Sequence, residues 1–330
     1  MKFNKSLFIS IVYILLGSSL FAQPKIIFDT DFGMDADDLG ALVMLHNLIE
    51  KQECELIGIM LWSTEEYAVS AVDAVNRYYH HPDIPIGTRQ DSTYFEAWNY
   101  SKSIADNFPH KLNYENVPDA IGLYRELLVN NPDKSVSIVT VGPLKNIENL
   151  LKSKPDSISP LSGKELIKQK VKEFVIMGGQ YPSGTKEWNF DGNMPGVTKY
   201  VVNNIDAPII FSGYELGLDI RTGEVFNNLD SDTPLYIGFM HFSQNAPWMK
   251  DAYQGNILDN STYDQTAVLY AVRNGVGIYW EEVRGTNVPD AIGGNTWVNT
   301  ENSNQAYLKR IVPNEYLENL IESLMLNEFK

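Results

Sequence analysis

Short apolar runs of strand length alternate with stretches of helical period over the first two-thirds of this chain. The runs are continuously apolar, which is typical of strands buried on both faces of a parallel sheet. Asp-, Gly- and Pro-rich segments follow the runs directly, so right-handed crossovers bring these segments to one sheet edge, where open α/β folds bind ligands. The predicted strands are 25–28, 56–61, 136–141, 172–177 and 208–211, and the predicted helices between them are 39–49, 65–79, 120–129 and 144–151.

The last third of the chain has a different pattern. Segments 262–272 and 314–326 predict helices, whereas 277–283 and 294–298 predict strands of a small antiparallel addition near the C-terminus. No Pro-, Gly- or Ser-rich linker separates this part from the rest. The sequence therefore predicts an α/β fold, a mainly parallel central sheet flanked by helices, in a single domain over 23–330.

The first residues have the composition of a targeting segment. Lys2 and Lys5 give a positive start, 7–16 is almost wholly apolar, and Ala22 supplies a small residue for cleavage. This pattern predicts a secretory signal peptide over 1–22, with an uncleaved N-terminal anchor as the alternative. Cleavage would place the mature chain in the periplasm or outside the cell, with no attachment to the membrane.

The charge of the chain restricts its partners. The formal net charge is −16 at pH 7, and the predicted leader carries two lysines and no acid. Such a field repels a phosphate backbone, so a nucleic-acid polymer is not an expected partner, whereas metal cations and neutral or cationic small molecules are. Cys54 is the only cysteine, which rules out an intrachain disulfide.

The densest chemical signal is the segment 29–38, which follows the first predicted strand and contains five aspartates. Carboxylates this close repel one another, and a hard divalent cation removes that cost. Neither His nor Cys lies in the segment, and ligands that are only oxygens suit calcium or magnesium. Gly33 permits the tight turn that such a loop requires.

Residue types alone leave other interpretations of segment 29–38 open. It could be a structural calcium loop, although it lacks the terminal Glu of an EF-hand. Asp37 and Asp38 could simply complement the dipole of the helix that begins there. An aspartyl nucleophile of the phosphatase type is disfavoured, because the second Asp pair would repel phosphate.

The segment resembles the N-terminal signature of the inosine-uridine-preferring nucleoside hydrolase family. Asp29-Thr30-Asp31-x-Gly33 followed by Asp37-Asp38-x-x-Ala41-Leu42 is similar to the longer form of that signature, with two more residues before the Asp pair. Further segments agree with the family in the same order along nearly the whole mature chain. They are Val141-Gly142-Pro143-Leu144-Lys145-Asn146, Val175-Ile176-Met177-Gly178-Gly179, Glu187-Trp188-Asn189 and Tyr263-Asp264.

The resemblance implies a Rossmann-like core, a metal site and an activity. Calcium would be held by Asp31, Asp38, the main-chain carbonyl of Val141, and Asp264, and Asp37 would be the general base. The expected reaction is hydrolysis of the N-glycosidic bond of a ribonucleoside to free base and ribose. The expected partner is therefore a small nucleoside or related riboside, and family members also suggest a homodimer or homotetramer.

The same resemblance implies residues that contact the substrate. Asn189 would bind ribose hydroxyls, Glu187 a further hydroxyl, and Trp188 would pack beside the sugar. Asp35 has no counterpart in the shorter signature, so it could contact ligand or metal, or exchange roles with Asp37.

Two departures from the family affect the leaving group. The stretch after the second strand contains no Asn, and Ser63 or Thr64 could take its place or merely cap the following helix. Tyr263 stands where some members have a His, and a phenol is a much weaker acid. The sequence therefore keeps two alternatives: hydrolysis of another N-riboside, such as a nicotinamide riboside, or a calcium-containing riboside-binding protein without turnover.

The aromatic segment 94–100 has two interpretations. It could be a lid that stacks on a nucleobase, or an amphipathic segment of the surface. The frequency of aromatic residues in surface loops favours the second.

Overall fold

The computed structural model describes residues 23–301 and 303–328, so the predicted signal peptide over 1–22 lies outside the described residues. No helix within the described part combines the length and apolarity that crossing a membrane requires.

In chain order the strands are β1 (Lys25–Thr30), β2 (Glu55–Leu61), β3 (Ile86–Thr88), β4 (Val136–Thr140), β5 (Val171–Met177), β6 (Ser183–Gly184), β7 (Ile209–Ser212), β8 (Arg221–Thr222), β9 (Asn260–Ser261), β10 (Trp280–Pro289), β11 (Asn295–Val298) and β12 (Gln305–Arg310).

The helices lie mostly between the strands, as the alternation in the sequence predicts. They are α1 (Ala36–Glu50), α2 (Ala68–Tyr78), α3 (Ser101–Asn107), α4 (Ala120–Val129), α5 (Lys145–Lys152), α6 (Gly163–Lys170), α7 (Trp188–Asp191), α8 (Val197–Asn204), α9 (Tyr214–Gly217), α10 (Pro234–Asn245), α11 (Asp264–Arg273) and α12 (Asn314–Met325). Two 3₁₀ turns add to them, Tyr114–Asn116 and Glu224–Asn228.

The strands form one large sheet in the order β3-β2-β1-β4-β5-β7-β12-β10-β11-β6, and β8 pairs with β9 in a separate ribbon. Pairing is parallel from β3 to β12, and antiparallel from β12 to β6. The order reverses between β1 and β4, which makes their C-terminal ends the switch point where α/β sheets bind ligands. The predicted fold class, with its small antiparallel addition, is confirmed.

The two faces of the sheet are both covered by apolar side chains. Ile26 and Phe28 of β1 join one apolar cluster with α1 and α11, whereas Ile27 joins a second cluster with α4 and α5. Because successive strand residues point to opposite faces, burial of all three requires helices on both sides. The continuous apolar runs therefore indicate three layers, with helices packed on both faces of the sheet.

Boundaries differ from the predictions where local polar contacts decide them. The first helix starts at Ala36, before the predicted 39, because Asp35 is its N-cap. The second starts at Ala68, after the predicted 65, because Glu65 forms a β-bridge with Tyr94. The first antiparallel strand covers Trp280–Pro289, which is longer and later than the predicted 277–283.

Candidate active site

A cleft of about 540 Å³ opens at the C-terminal ends of β1, β4 and β5, next to the switch point. Ten of the predicted site residues line it. They are Asp31, Asp35, Asp37, Asp38, Val141, Glu187, Trp188, Asn189, Tyr263 and Asp264.

The acidic loop takes its shape from the turn after β1. Gly33 has a φ of +113°, and a Cβ there would collide with the Ser101 side chain, so the turn needs glycine. The Gly33 N–H donates to the Tyr100 hydroxyl at 3.1 Å. Asp35 then caps α1 by accepting from the Asp37 N–H at 3.4 Å, and it also accepts from the Asn260 amide. These contacts turn the aspartates towards the cleft.

Three carboxylates from two helices converge on the cleft. Asp37 and Asp38 belong to the first turn of α1, and Asp264 begins α11; one ligand atom from each lies within 4.8 Å of the others, and all three side chains are buried. Asp37 Oδ2 accepts from the N–H groups of Tyr263 at 3.2 Å and of Asp264 at 3.3 Å, which ties the two helix starts together. Asp38 accepts from the Thr30 hydroxyl.

Asp31 lies on another side of the same cleft. Its Oδ2 accepts from the Trp188 indole N–H at 3.0 Å, and a Cβ on Gly142 would come within 2.9 Å of its Oδ1. Asp31 is therefore adjacent to the Val141–Gly142 peptide. It does not belong to the group of Asp37, Asp38 and Asp264, so the structure places Asp37 among the ligand-capable carboxylates and Asp31 beside them.

The charges of this cluster are not balanced by side chains of the cleft. Lys186, the one Lys or Arg among the described lining residues, pairs with Asp191 at 3.0 Å. Burial, together with the neighbouring Asp35 carboxylate, raises the pKa of Asp31 to about 6. Burial and then the other carboxylates also raise the pKa values of Asp37, Asp38 and Asp264 well above their usual range. Buried, close and purely oxygen-bearing, this donor set fits a hard divalent cation.

The segment Glu187-Trp188-Asn189 forms the opposite wall. Glu187 caps α7, and its carboxylate accepts from the N–H groups of Gly179 at 2.8 Å, Asn189 at 2.9 Å and Phe190 at 3.1 Å. Burial outweighs these three bonds and raises the pKa of Glu187 to about 7. The Asn189 amide donates to the Val141 carbonyl at 2.7 Å. The residue predicted to bind ribose therefore contacts the carbonyl predicted to bind the metal.

Tyr263 and Ser63, the residues at the two departures from the family, have different positions. Tyr263 lines the cleft and stacks on Tyr214 at a ring distance of 5.3 Å, and burial raises the pKa of its phenol further above the ordinary value. Ser63 does not line the cleft. Its hydroxyl accepts from the Glu65 N–H at 3.2 Å and bonds the Tyr94 hydroxyl at 3.0 Å, so it caps the turn before α2.

Several lining residues were not singled out as site residues in the sequence. They are Met34, Trp98, Met177, Gln180, Lys186, Tyr214 and Trp248. Met177 is the last residue of β5, and Gln180 and Tyr214 come shortly after β5 and β7, a position that could have identified them. Trp98, from the aromatic segment 94–100, contacts Trp248 edge to face at 5.4 Å. Trp248 lies in a long loop, where nothing in the local sequence marks it.

Comparison with known proteins gives sequence and fold relatives. An uncharacterized protein of Schizosaccharomyces pombe, C1683.06c, is 29% identical over 171 residues, which cover 48% of this chain and 49% of that protein. The match therefore spans about half the length of that curated relative.

Solved structures resemble the chain over nearly its whole length. The effector protein XOO4466 gives a TM-score of 0.67 at 14% identity, covering 98% of this chain and 99% of that one. The type III effector protein XopQ, solved with adenosine diphosphate ribose, gives 0.65 at 14% identity and 96% coverage of both chains. An inosine-guanosine nucleoside hydrolase gives 0.63 at 18% identity, covering 94% and 100%. At these identities the likeness shows the fold.

The family is shown by a match of a different kind. The model of the inosine-uridine preferring nucleoside hydrolases matches residues 26–311, a range that contains the acidic loop and every residue that lines the cleft. The chain therefore belongs to the inosine-uridine preferring nucleoside hydrolase family.

Proposed function

We propose that the protein hydrolyses the N-glycosidic bond of a ribonucleoside, releasing free base and ribose, with Ca²⁺ in the acidic cluster. The observation that carries the proposal is the convergence of Asp31, Asp37, Asp38 and Asp264 with Val141 at one cleft, in a chain of the nucleoside hydrolase family. A cleft of about 540 Å³ is of the size that small-molecule ligands occupy.

The proposed calcium ligands are Asp31, Asp38, Asp264 and the main-chain carbonyl of Val141. Calcium accepts six to eight oxygens in flexible geometry, which leaves coordination positions for water and for a ribose diol. When bound, the ion lowers the pKa of its water and offsets the mutual repulsion of the carboxylates.

Asp37 is the proposed general base. A base that takes a proton from a metal-bound water has to lie next to the metal ligands, and Asp37 lies within 4.8 Å of Asp38 and Asp264. Two main-chain N–H groups hold its Oδ2, so its orientation is set before substrate binds. Asp35 is half-buried on the cleft wall, where it is proposed to contact the substrate.

The remaining walls bind the two halves of the substrate. Asn189, Glu187 and Trp188 lie on the side of Asp31 and are proposed to hold the ribose. Bond breaking gives the sugar positive charge, and the surrounding carboxylates stabilise that charge electrostatically. Tyr263, with its aromatic neighbours, borders the space left for the leaving base.

The proposal also covers the export of the protein and its oligomeric state. We propose that residues 1–22 are a cleaved signal peptide and that the mature protein acts in the periplasm or outside the cell, as a homodimer or homotetramer. N-terminal sequencing of the exported protein should give Gln23 as the first residue. Light scattering should give a mass of two or four chains.

A binding protein without turnover is the second candidate, and the observation that favours it is the position of Ser63 outside the cleft. Incubating the mature protein with purine, pyrimidine and nicotinamide ribosides, with calcium or with excess chelator, separates the two. Calcium-dependent release of ribose supports the hydrolase. Calcium-dependent stabilisation with no release from any riboside supports the binding protein.

A further inference from the structure

We infer that the cleft selects a positively charged heteroaromatic ring as the leaving group, so that N-ribosides of the pyridinium class are its substrates. The inference rests on the proposed function, because it names the substrate class of that same site.

The charge of the cleft wall favours a cationic ligand. Its carboxylates are Asp31, Asp35, Asp37, Asp38, Asp264 and Glu187. The lining cation Lys186 is paired with Asp191, so it offsets little of this charge. A divalent cation offsets two negative charges and favours the ionised form of the carboxylates beside it, so an excess of negative charge remains around the substrate. That excess attracts a cationic ring more strongly than a neutral ring of the same shape.

Aromatic side chains line the same cleft. Trp98 and Trp248 meet edge to face at 5.4 Å, and Tyr214 stacks on Tyr263 at 5.3 Å. Trp248 is 54% exposed, so it offers uncovered ring surface. A cation within about 6 Å of such a ring is attracted by its quadrupole, most strongly by Trp. Aromatic rings and carboxylates together form the lining that recognises flat cations.

The side chains of the cleft also determine which leaving group departs easily. No histidine occurs among the described residues that line the cleft, and a neutral base needs a proton to leave easily. With a pyridinium riboside, the bond between C1′ and the ring nitrogen breaks and its electron pair returns to that nitrogen, giving a neutral base. The water oxygen bonds to C1′, and its proton passes to Asp37 and then to solvent. Riboside cation and water thus give ribose, neutral base and one proton.

A pair of isosteres tests the selection without requiring turnover. 1-Methylnicotinamide is a cation, and 3-methylbenzamide is its neutral counterpart of the same shape. Titration calorimetry on the calcium-loaded protein should show the cation binding about threefold to thirtyfold more tightly. Raising the NaCl concentration should reduce the affinity for the cation and leave that for the neutral compound unchanged. Equal affinities, or tighter binding of the neutral compound, would overturn the inference.

Two variants locate the effect. Trp248→Leu should reduce the ratio of the two affinities, whereas Tyr316→Leu, on α12 and 49% exposed outside the cleft, should keep it. A ratio unchanged in Trp248→Leu would contradict the aromatic contribution.

The rates at which different ribosides are hydrolysed test the substrate class. After each rate is divided by its uncatalysed rate, kcat/KM for nicotinamide riboside should exceed the values for inosine and uridine. A larger normalised value for the neutral nucleosides would overturn the substrate class while supporting the hydrolase. Release of ribose from no riboside would refute the hydrolase, and the isostere pair would still measure the selection.

Discussion

At the residue scale, the site brings together buried carboxylates whose mutual repulsion a bound cation would relieve. The sequence predicted most of them because segment 29–38 is contiguous, and a short loop after a strand keeps its residues together in any α/β fold. Asp264 is distant in sequence and could be placed only through the family resemblance. The role of Ser63 could not be predicted, because a serine after a strand can either bind a ligand or cap a turn. The hydrogen bond from the Glu65 N–H to its hydroxyl shows that it caps the turn.

Metal binding and proton transfer are separable by substitution. Asp37→Asn should lower kcat by about 10²- to 10⁴-fold, because it removes the base, while changing calcium affinity little. Asp38→Asn should instead weaken calcium binding strongly, because it removes a ligand. Calcium titration by calorimetry, alongside kcat at saturating calcium, measures both. Asp232→Asn, at an exposed position, is the control. A large loss of calcium affinity in Asp37→Asn would assign that residue to the metal instead.

His46 should make stability depend on pH. Burial first, and then His81, lower its pKa to about 3 from 6.5. The unfolded chain therefore binds a proton between these values that the folded chain does not, so stability falls as the pH drops from about 6.5 towards 3. The expected contribution is about 1.4 kcal/mol per pH unit inside that window.

Urea unfolding of the calcium-saturated protein at several pH values, compared with His46→Gln, measures this contribution. Exposed His110→Gln should retain the dependence of the parent. An identical pH slope in the parent and in His46→Gln would refute the assignment.

At the element scale, the central parallel strands and their long helices follow from local pattern, and the shorter elements do not. β12 joins the parallel part of the sheet to the antiparallel part, and its Gln305–Arg310 sequence mixes polar and apolar residues because only part of it is buried. α10 lay outside the predicted elements, although Thr233 and Pro234 begin it with a cap and a first-turn proline. Cap and proline signals mark a helix start, and packing decides whether the helix forms.

Asp35 has two roles, because it caps α1 and also lines the cleft. Asp35→Ala should lower the free energy of unfolding by about 1 kcal/mol relative to Asp35→Ser, since serine keeps an N-cap oxygen. If the carboxylate also contacts substrate, KM should rise equally in both variants. Urea unfolding and steady-state kinetics give the two quantities. A KM that returns to the parent value in Asp35→Ser would restrict Asp35 to capping.

At the scale of the whole molecule, one cleft is built from the ends of strands and helices that are far apart in sequence. Asp31 follows β1, Val141 follows β4, and Asp264 begins α11, so the cluster exists only when these elements pack together. The aromatic wall illustrates the limit of sequence reasoning. Trp98 and Trp248 meet across loops whose course depends on tertiary packing, and no local periodicity encodes that contact.

Calcium should therefore stabilise the entire fold. An ion that binds only the folded chain adds about 2.7 kcal/mol at a concentration 100 times its Kd. Chelation should lower Tm, and added calcium should restore it in a concentration-dependent way, as measured by calorimetry. The same experiment on a variant that combines Asp38→Asn with Asp264→Asn should show little response. A Tm in the parent that is insensitive to chelator and calcium would argue against a metal at the cluster.

Release of ribose from a panel of ribosides by the mature protein, with calcium and with excess chelator, is the sharpest test of the proposed hydrolase. We expect that at least one riboside is hydrolysed, that chelator abolishes the release, and that calcium restores it. Release that proceeds unchanged in chelator would contradict the metal-dependent mechanism. Release from no riboside in the presence of calcium would contradict the hydrolase itself.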